Sequence, residues 1–211
     1  MSKPTRQRRA PDARPGEILE AALALFVEKG FAATRLEDVA ARAGLSKAAL
    51  YLYFDDKQTL FEAVVRQRLT GNFDALSAMV AAHRGPIGPL IGQIFAFIGG
   101  RIVDTPIAGI VKLVIGESRA FPEIGRFYLR EVIGRGLPLM EQLVVRGIAS
   151  GEFRRVDPAF AVRSMIGPMM LAMVWRSVLE PIGAAKLDVA AFSAHHADFV
   201  VHALKAGEPR P

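Results

Sequence analysis

Two short apolar stripes separated by a glycine constrain this chain more than any other feature. Leu36, Val39 and Ala40 form one stripe, which must end at Gly44, and Leu50 and Phe54 supply inward anchors for the next. Neither segment has the ~12–15 residues that a helix needs to persist alone in water. They hold only by packing on each other and on a preceding helix, whose face is marked by Ile18, Ala21, Ala22, Leu25 and Phe26 at three- and four-residue spacing. The pattern predicts a compact trihelical unit starting near Arg14 or Pro15, with a glycine turn between its second and third helices.

Local signals place the ends of these helices. Gly30 is a natural stop for the first, and Phe31 can fold back onto its last turn. Thr34-Arg35-Leu36-Glu37 has the S/T-x-x-E form, in which Thr34 caps the amide of Glu37 and Glu37 answers the amide of Thr34. Loss of that hydroxyl should cost ~1 kcal/mol. Ser46 can cap the third helix. Asp55 or Asp56 caps a fourth, running from about Lys57 towards Met79 or His83, with Leu60, Phe61, Val64 and Val65 inward at its start.

The remainder reads as helix after helix. Leu90–Arg101 is nearly all apolar, as in a helix buried on several sides. Thr105-Pro106 and Asp157-Pro158 are each a cap followed by proline at the first helical position. Pro122 opens a pattern that extends to Gly151, a further helix ends near Glu180, and the last covers about Asp188–Lys205. No segment shows sustained strand alternation. The expected fold is all-α with about nine helices, a trihelical head preceding a larger helical domain.

Composition narrows the function. The chain has no cysteine, which excludes disulfides and thiolate metal sites and is compatible with a reducing, cytoplasmic compartment. The four histidines (His83, His195, His196 and His202) lack metal-binding spacing, and Asp55-Asp56 reads as a capping pair. With no Ser–His–acid arrangement, neither an enzyme nor a metal or cofactor is expected. The first 16 residues hold no apolar signal core, and the longest apolar run, Met165–Trp175, falls short of the ~20 residues of a bilayer span. No membrane association is expected. Lys and Arg outnumber Asp and Glu by 27 to 21, and residues 1–14 hold Lys3, Arg6, Arg8, Arg9 and Arg14 against only Asp12; a disordered basic tail is expected over residues 1–13. Such a tail attracts a polyanion, whether nucleic acid or an acidic membrane.

A short helix, a glycine turn and a second short helix match the helix-turn-helix pattern, whose second member enters the major groove. The stretch from Phe31 to Phe61, through Thr34-Arg35-Leu36-Glu37, Gly44-Leu45-Ser46-Lys47 and Tyr51-Leu52-Tyr53-Phe54, closely resembles the N-terminal signature of the TetR family of bacterial transcriptional regulators. The resemblance covers about a quarter of the chain. It implies a DNA-binding head over residues 14–60 and a helical effector-binding and dimerisation domain over 61–211. It further implies a homodimer on a palindromic double-stranded DNA operator, usually as a repressor, released when a small molecule enters the larger domain.

By the same resemblance, Thr34 and Arg35 fall where the second helix is capped and phosphate is touched. Lys47, Tyr51 and Tyr53 fall at backbone-contact positions, and Lys57 at the start of the fourth helix. The chemistry agrees: lysine and arginine offer charge, tyrosine a hydroxyl donor, and the helix start at Ser46 offers amides. Packing roles for the tyrosines and a solvated role for Lys57 are the alternatives. Ala48 and Ala49 permit close approach to a thymine methyl. Leu52 departs from the family's usual polar or aromatic choice; it can pack on sugar or a thymine methyl, or simply hold the helix.

In the larger domain, the stripes of about 158–180 (Met165, Ile166, Met169, Met170, Met173) and 188–205 (Val189, Phe192, His196, Phe199, Val200) exceed what one helical layer needs. The resemblance assigns them to a homodimer interface, which would set two recognition helices about 34 Å apart. Gly167-Pro168 should bend the first of these helices. Phe95, Phe97, Phe121, Phe127, Tyr128, Met140, Met169, Met173 and Trp175 are candidate walls of an effector pocket. Arg101, Glu117, Arg119, Arg130, Glu131 and Arg176 are candidate orienting groups. A hydrophobic or amphipathic effector follows from so few charges inside the apolar helices. The competing reading is a helical ligand-binding or scaffold protein without specific DNA binding.

Overall fold

The structure is a computed structural model that describes residues 14–207. Ten α-helices occur among the described residues: α1 (Arg14–Ala33), α2 (Leu36–Arg42), α3 (Lys47–Tyr51), α4 (Lys57–Ala82), α5 (Ile87–Ile98), α6 (Ala108–Glu117), α7 (Pro122–Tyr128), α8 (Gly134–Ala149), α9 (Pro158–Val174) and α10 (Val189–Leu204). The one extended pairing among them is an isolated bridge between Phe153 and Lys205. The basic tail expected over residues 1–13 lies outside the described residues. The chain divides into two compact units between Val64 and Val65, inside α4.

The first unit closes on an aromatic cluster. At Gly30 the backbone takes φ 82°, a left-handed value that glycine adopts without a Cβ penalty, and helical geometry breaks there. Phe31 then turns back to stack on Phe26 at 5.7 Å, and Phe61 meets both rings edge-on at 5.7 and 5.8 Å. Ile18, Ala22, Val39, Leu50 and Leu60 complete a core from which water is excluded. The predicted inward stripes are the observed ones.

The expected capping box at Thr34 does not form. Arg35 occupies the N-cap position of α2, with no side-chain cap bond. Thr34 is buried, and its hydroxyl donates to the Gly30 carbonyl at 2.6 Å and to that of Leu25 at 3.3 Å. Breaking α1 at Gly30 strands carbonyls in the core, and an unpaired buried carbonyl is costlier than an exposed amide at a helix start. Glu37 turns outward instead, to Lys47.

In the second unit α5, apolar on several sides, packs on α10 and α8, while α9 packs on α6 and α8. Aspartates cap α9 and α10 as their positions suggest, Asp157 accepting from Phe160 N–H and Asp188 from Ala191 N–H. The start of α5 is capped from far away. Both Glu152 carboxylate oxygens accept at 2.6 Å, one from Ile87 N–H and the other from Gly88 N–H.

Three features differ from the sequence expectation. The helix expected over Pro122–Gly151 is α7 and α8 joined through a π-helical turn, Leu129–Ile133. The helix expected to open at Pro106 begins at Ala108, because tight turn bonds such as Gly109 N–H to Pro106 O come first. The third concerns α9, which continues past Pro168 and through π and 3-10 turns to Ile182. These 25 residues are long and apolar enough to cross a membrane by length and composition, although the uninterrupted apolar run is shorter. Polar residues such as Arg163, Ser164 and Arg176 interrupt the run but do not stop the helix. Its inward face, including Val162, Met165 and Met169, belongs to the core.

Candidate nucleic-acid interface and ligand cavity

In the first unit, the turn before α3 needs Gly44, whose φ is 68°. Ser46 then caps α3 by accepting from Ala49 N–H at 3.2 Å. Leu50 and Phe54 anchor the helix inward. The opposite face is left to solvent: Ser46, Lys47, Ala48, Tyr51 and Tyr53 are exposed, Ala49 is half-buried, and Leu52 is 84% exposed. Tyr51 and Tyr53 are 40% and 38% exposed, so each is partly packed and partly open to solvent, whereas Leu52 does not hold the helix. Arg35 is exposed beside this face at the start of α2. Between α1 and α2, Arg42 makes a two-pronged pair with Glu28 (2.6 and 2.7 Å) and Lys29 meets Asp38 at 3.1 Å.

The lysines behave differently from each other. Lys47 Nζ sits 2.6 Å from a Glu37 carboxylate oxygen and 5.8 Å from the Tyr51 ring centre. The hydrogen bond between them holds the Glu37 carboxyl below its ordinary range and raises the Lys47 ammonium above its own. Lys57 instead donates to the Phe31 and Ala32 carbonyls at 2.6 and 3.0 Å and lies 4.5 Å above the Phe31 ring. It closes the end of α1. Of the residues expected to face DNA, Thr34 is thus inside the head and Lys57 is half-buried against it, while the others share one face or its edge. The carbonyls freed at Gly30 are the signal that could have predicted both inward roles.

The second unit holds a cavity of about 120 Å³ among α4, α5, α6, α8 and α9, partly open to solvent. Of the candidate effector-pocket residues, Tyr128, Met140, Met169 and Met173 line it. Phe95, Phe97, Phe121, Phe127 and Trp175 do not. Phe95 is in the core, stacked 4.8 Å from His196, and Phe97 packs on the same core. Phe121 precedes α7, and the guanidinium carbons of Arg66 and Arg130 lie 4.9 and 5.5 Å from the Phe127 ring centre. Trp175 donates from Nε1 to Ala185 O at 2.8 Å. Their places in the lining are taken by aliphatic residues, including Leu69, Leu76, Ile94, Ile110, Val132 and Ile166, and by Phe73. The helices turn branched aliphatic side chains to the cavity at these places.

None of the expected charged orienting groups lines the cavity. Arg176 pairs with Glu180 at 2.8 Å and with Asp104, and Arg130 pairs with Glu131 at 3.0 Å. Among the described residues no cluster of His, Asp or Glu is placed to hold a metal.

Comparison with known proteins joins the two units to one family. Residues 18–64 match the family model for bacterial regulatory proteins of the tetR family, and residues 96–200 match the C-terminal domain of AefR-like transcriptional repressors. The chain belongs to the TetR family of bacterial transcriptional regulators. It is similar to the HTH-type transcriptional regulator RutR of Escherichia coli K12, 29% identical over 183 residues, covering 80% of this chain and 74% of RutR. The HTH-type transcriptional repressor KstR2 of Rhodococcus jostii is 26% identical, with 84% of this chain and 85% of KstR2 covered. Among solved structures, FadR of Bacillus subtilis in complex with stearoyl-CoA has the same fold, with a TM-score of 0.73 at 17% identity over 88% of this chain and 97% of that one. This TetR-family chain therefore pairs a helix-turn-helix head, the outer face of its α3 exposed, with a second unit that holds an apolar cavity partly open to solvent.

Proposed function

We propose that the chain is a homodimeric, cytoplasmic repressor that binds a palindromic operator and leaves it when a small hydrophobic or amphipathic effector enters the cavity. The observation that carries the DNA reading is the outward face of α3. Leu52 at 84% exposure has no packing role, and it stands beside Lys47, Tyr51 and Tyr53, which offer a charge and two hydroxyls. That combination suits a duplex: donors for phosphate, and an apolar tip for sugar or a thymine methyl. Arg35 adds a second cation at the edge of the same face.

The homodimer would form through about 158–180 and 188–205. Phe160, Leu171 and Phe199 are 72%, 58% and 65% exposed there. A groove between α9 and α10, lined by Phe160, Pro168, Phe192 and Phe199, gives that face relief for a symmetric copy. An effector that favours a dimer with mismatched heads would lower operator affinity by the same factor with which DNA lowers effector affinity.

Selection of bound fragments from genomic DNA identifies the operator, and its salt dependence tests the contacts. Lys47→Ala should reduce the logarithmic salt slope by ~1 per phosphate lost, ~2 for the dimer. An unchanged slope and affinity would remove Lys47 from the interface. Failure of any palindromic fragment to be enriched would favour the helical ligand-binding or scaffold protein instead.

A further inference from the structure

The lining of the cavity in the second unit is chemically lopsided. Leucine, isoleucine, valine, methionine, one phenylalanine and a glycine supply nearly all of it, and among the described residues Tyr128 carries the single side-chain oxygen or nitrogen. Tyr128 is the last residue of α7. From there Val132, Ile133, Gly136, Leu137 and Met140 follow on one face through the π turn and into α8, all of them lining residues. Among the described residues the Tyr128 hydroxyl has no hydrogen-bond partner, and desolvation alone pushes its phenol up to about 12. It remains a neutral donor throughout the physiological range.

Tyr128 is partly buried, so its hydroxyl, claimed by no protein group, is left to water or to whatever occupies the cavity, and an occupant that displaces the water without accepting from it forfeits a hydrogen bond. A charged group brought among these side chains would find no countercharge, and the desolvation of an ion is far costlier than that of a hydroxyl. The nearby guanidinium of Arg135 is taken up by Asp74 at 3.1 Å, on the outer side of Phe73, and is absent from the lining.

We infer that the cavity selects an uncharged, mainly hydrocarbon ligand carrying one hydrogen-bond acceptor, such as a ketone or ester carbonyl, which the Tyr128 hydroxyl reads. This rests on the effector reading above and deepens it. It excludes a carboxylate seated inside the cavity, and it makes Tyr128 a specificity-determining residue.

Three probes of similar size separate the terms: butylbenzene, butyrophenone and 4-phenylbutanoate, titrated calorimetrically into the full-length protein at pH 7.5. Butyrophenone should bind at least about tenfold more tightly than 4-phenylbutanoate, the penalty for an unpaired charge. Tyr128→Phe should weaken butyrophenone about fivefold, the worth of one hydrogen bond, and leave butylbenzene within about twofold. Thermal melts of the variant confirm that it folds. Equal or tighter binding of 4-phenylbutanoate, a parallel effect of Tyr128→Phe on butylbenzene and butyrophenone, or no binding by any of the three would each overturn the inference. Operator release is followed separately by fluorescence anisotropy. Binding in the expected order without release would leave the cavity assignment standing and remove only the switch.

Discussion

Glu37 holds Lys47 at 2.6 Å across the turn between α2 and α3, so on the proposed reading the ammonium at the exposed start of α3 would meet DNA already paired. Both side chains are solvent-exposed, and such pairs are weak and salt-sensitive. A phosphate must displace the carboxylate or share the ammonium with it. Glu37→Gln should therefore raise operator affinity a few-fold at low salt, with the gain shrinking as salt rises. Anisotropy titrations across a salt series read this directly. A loss of affinity would show that Glu37 positions Lys47 rather than competing for it.

Thr34 tests the inward geometry of the head. Its hydroxyl serves the Gly30 and Leu25 carbonyls from a buried position. Thr34→Val should cost about 1 kcal/mol of stability in denaturant unfolding, with Thr34→Ser retaining most of it. A variant of unchanged stability but weakened DNA binding would return Thr34 to the interface.

Gly147 tests the packing of the second unit. A Cβ there would lie 2.2 Å from Phe153 Cδ2 and 2.5 Å from its Cε2, and the ring is buried. The ring as a whole must move, so Gly147→Ala should destabilise by about 1–3 kcal/mol. Phe153→Ala alone should cost about 3–5 kcal/mol. In the double variant the two costs should fall short of their sum, because the clash goes with the ring. Urea unfolding of all four proteins closes the cycle.

Glu180 tests the acid limb of the stability curve. Its carboxylate accepts from Leu187 N–H at 2.8 Å and pairs with Arg176, and these bonds hold its pKa below the ordinary 4.5. A carboxyl whose folded pKa is depressed contributes stability above its unfolded value and loses it as pH falls through the folded one. The difference between wild type and Glu180→Gln should be full above about pH 5 and fade in stronger acid. A gap that persists unchanged to pH 2 would deny the carboxylate this role.

Leu171 and Phe199 test the proposed pairing surface. Each exposes more than half of a large apolar side chain. Leu171→Glu with Phe199→Glu should convert a dimer to monomer in sedimentation experiments, with operator affinity lost and thermal stability of the monomer nearly unchanged. A dimer that survives both charges is assembled elsewhere.

The features legible in the sequence are those that a residue and its near neighbours decide together. Ser46, Asp157 and Asp188 cap amides three residues ahead, Gly30 and Gly44 turn the chain where left-handed φ is needed, and the stripe of Leu36, Val39 and Ala40 faces inward. These bonds span a single helical turn, so order along the chain is enough to specify them. Tertiary structure decided the rest. Thr34 found carbonyls behind it instead of an amide ahead, Lys57 closed a helix that ends 24 residues earlier, at Ala33, and Glu152 capped one that begins 65 residues earlier, at Ile87. The cavity wall likewise took Ile110 and Val132 in place of Phe95 and Trp175. Which side of an apolar helix meets a void and which meets a neighbour depends on how separate helices pack, and hydrophobicity alone is the same on both sides.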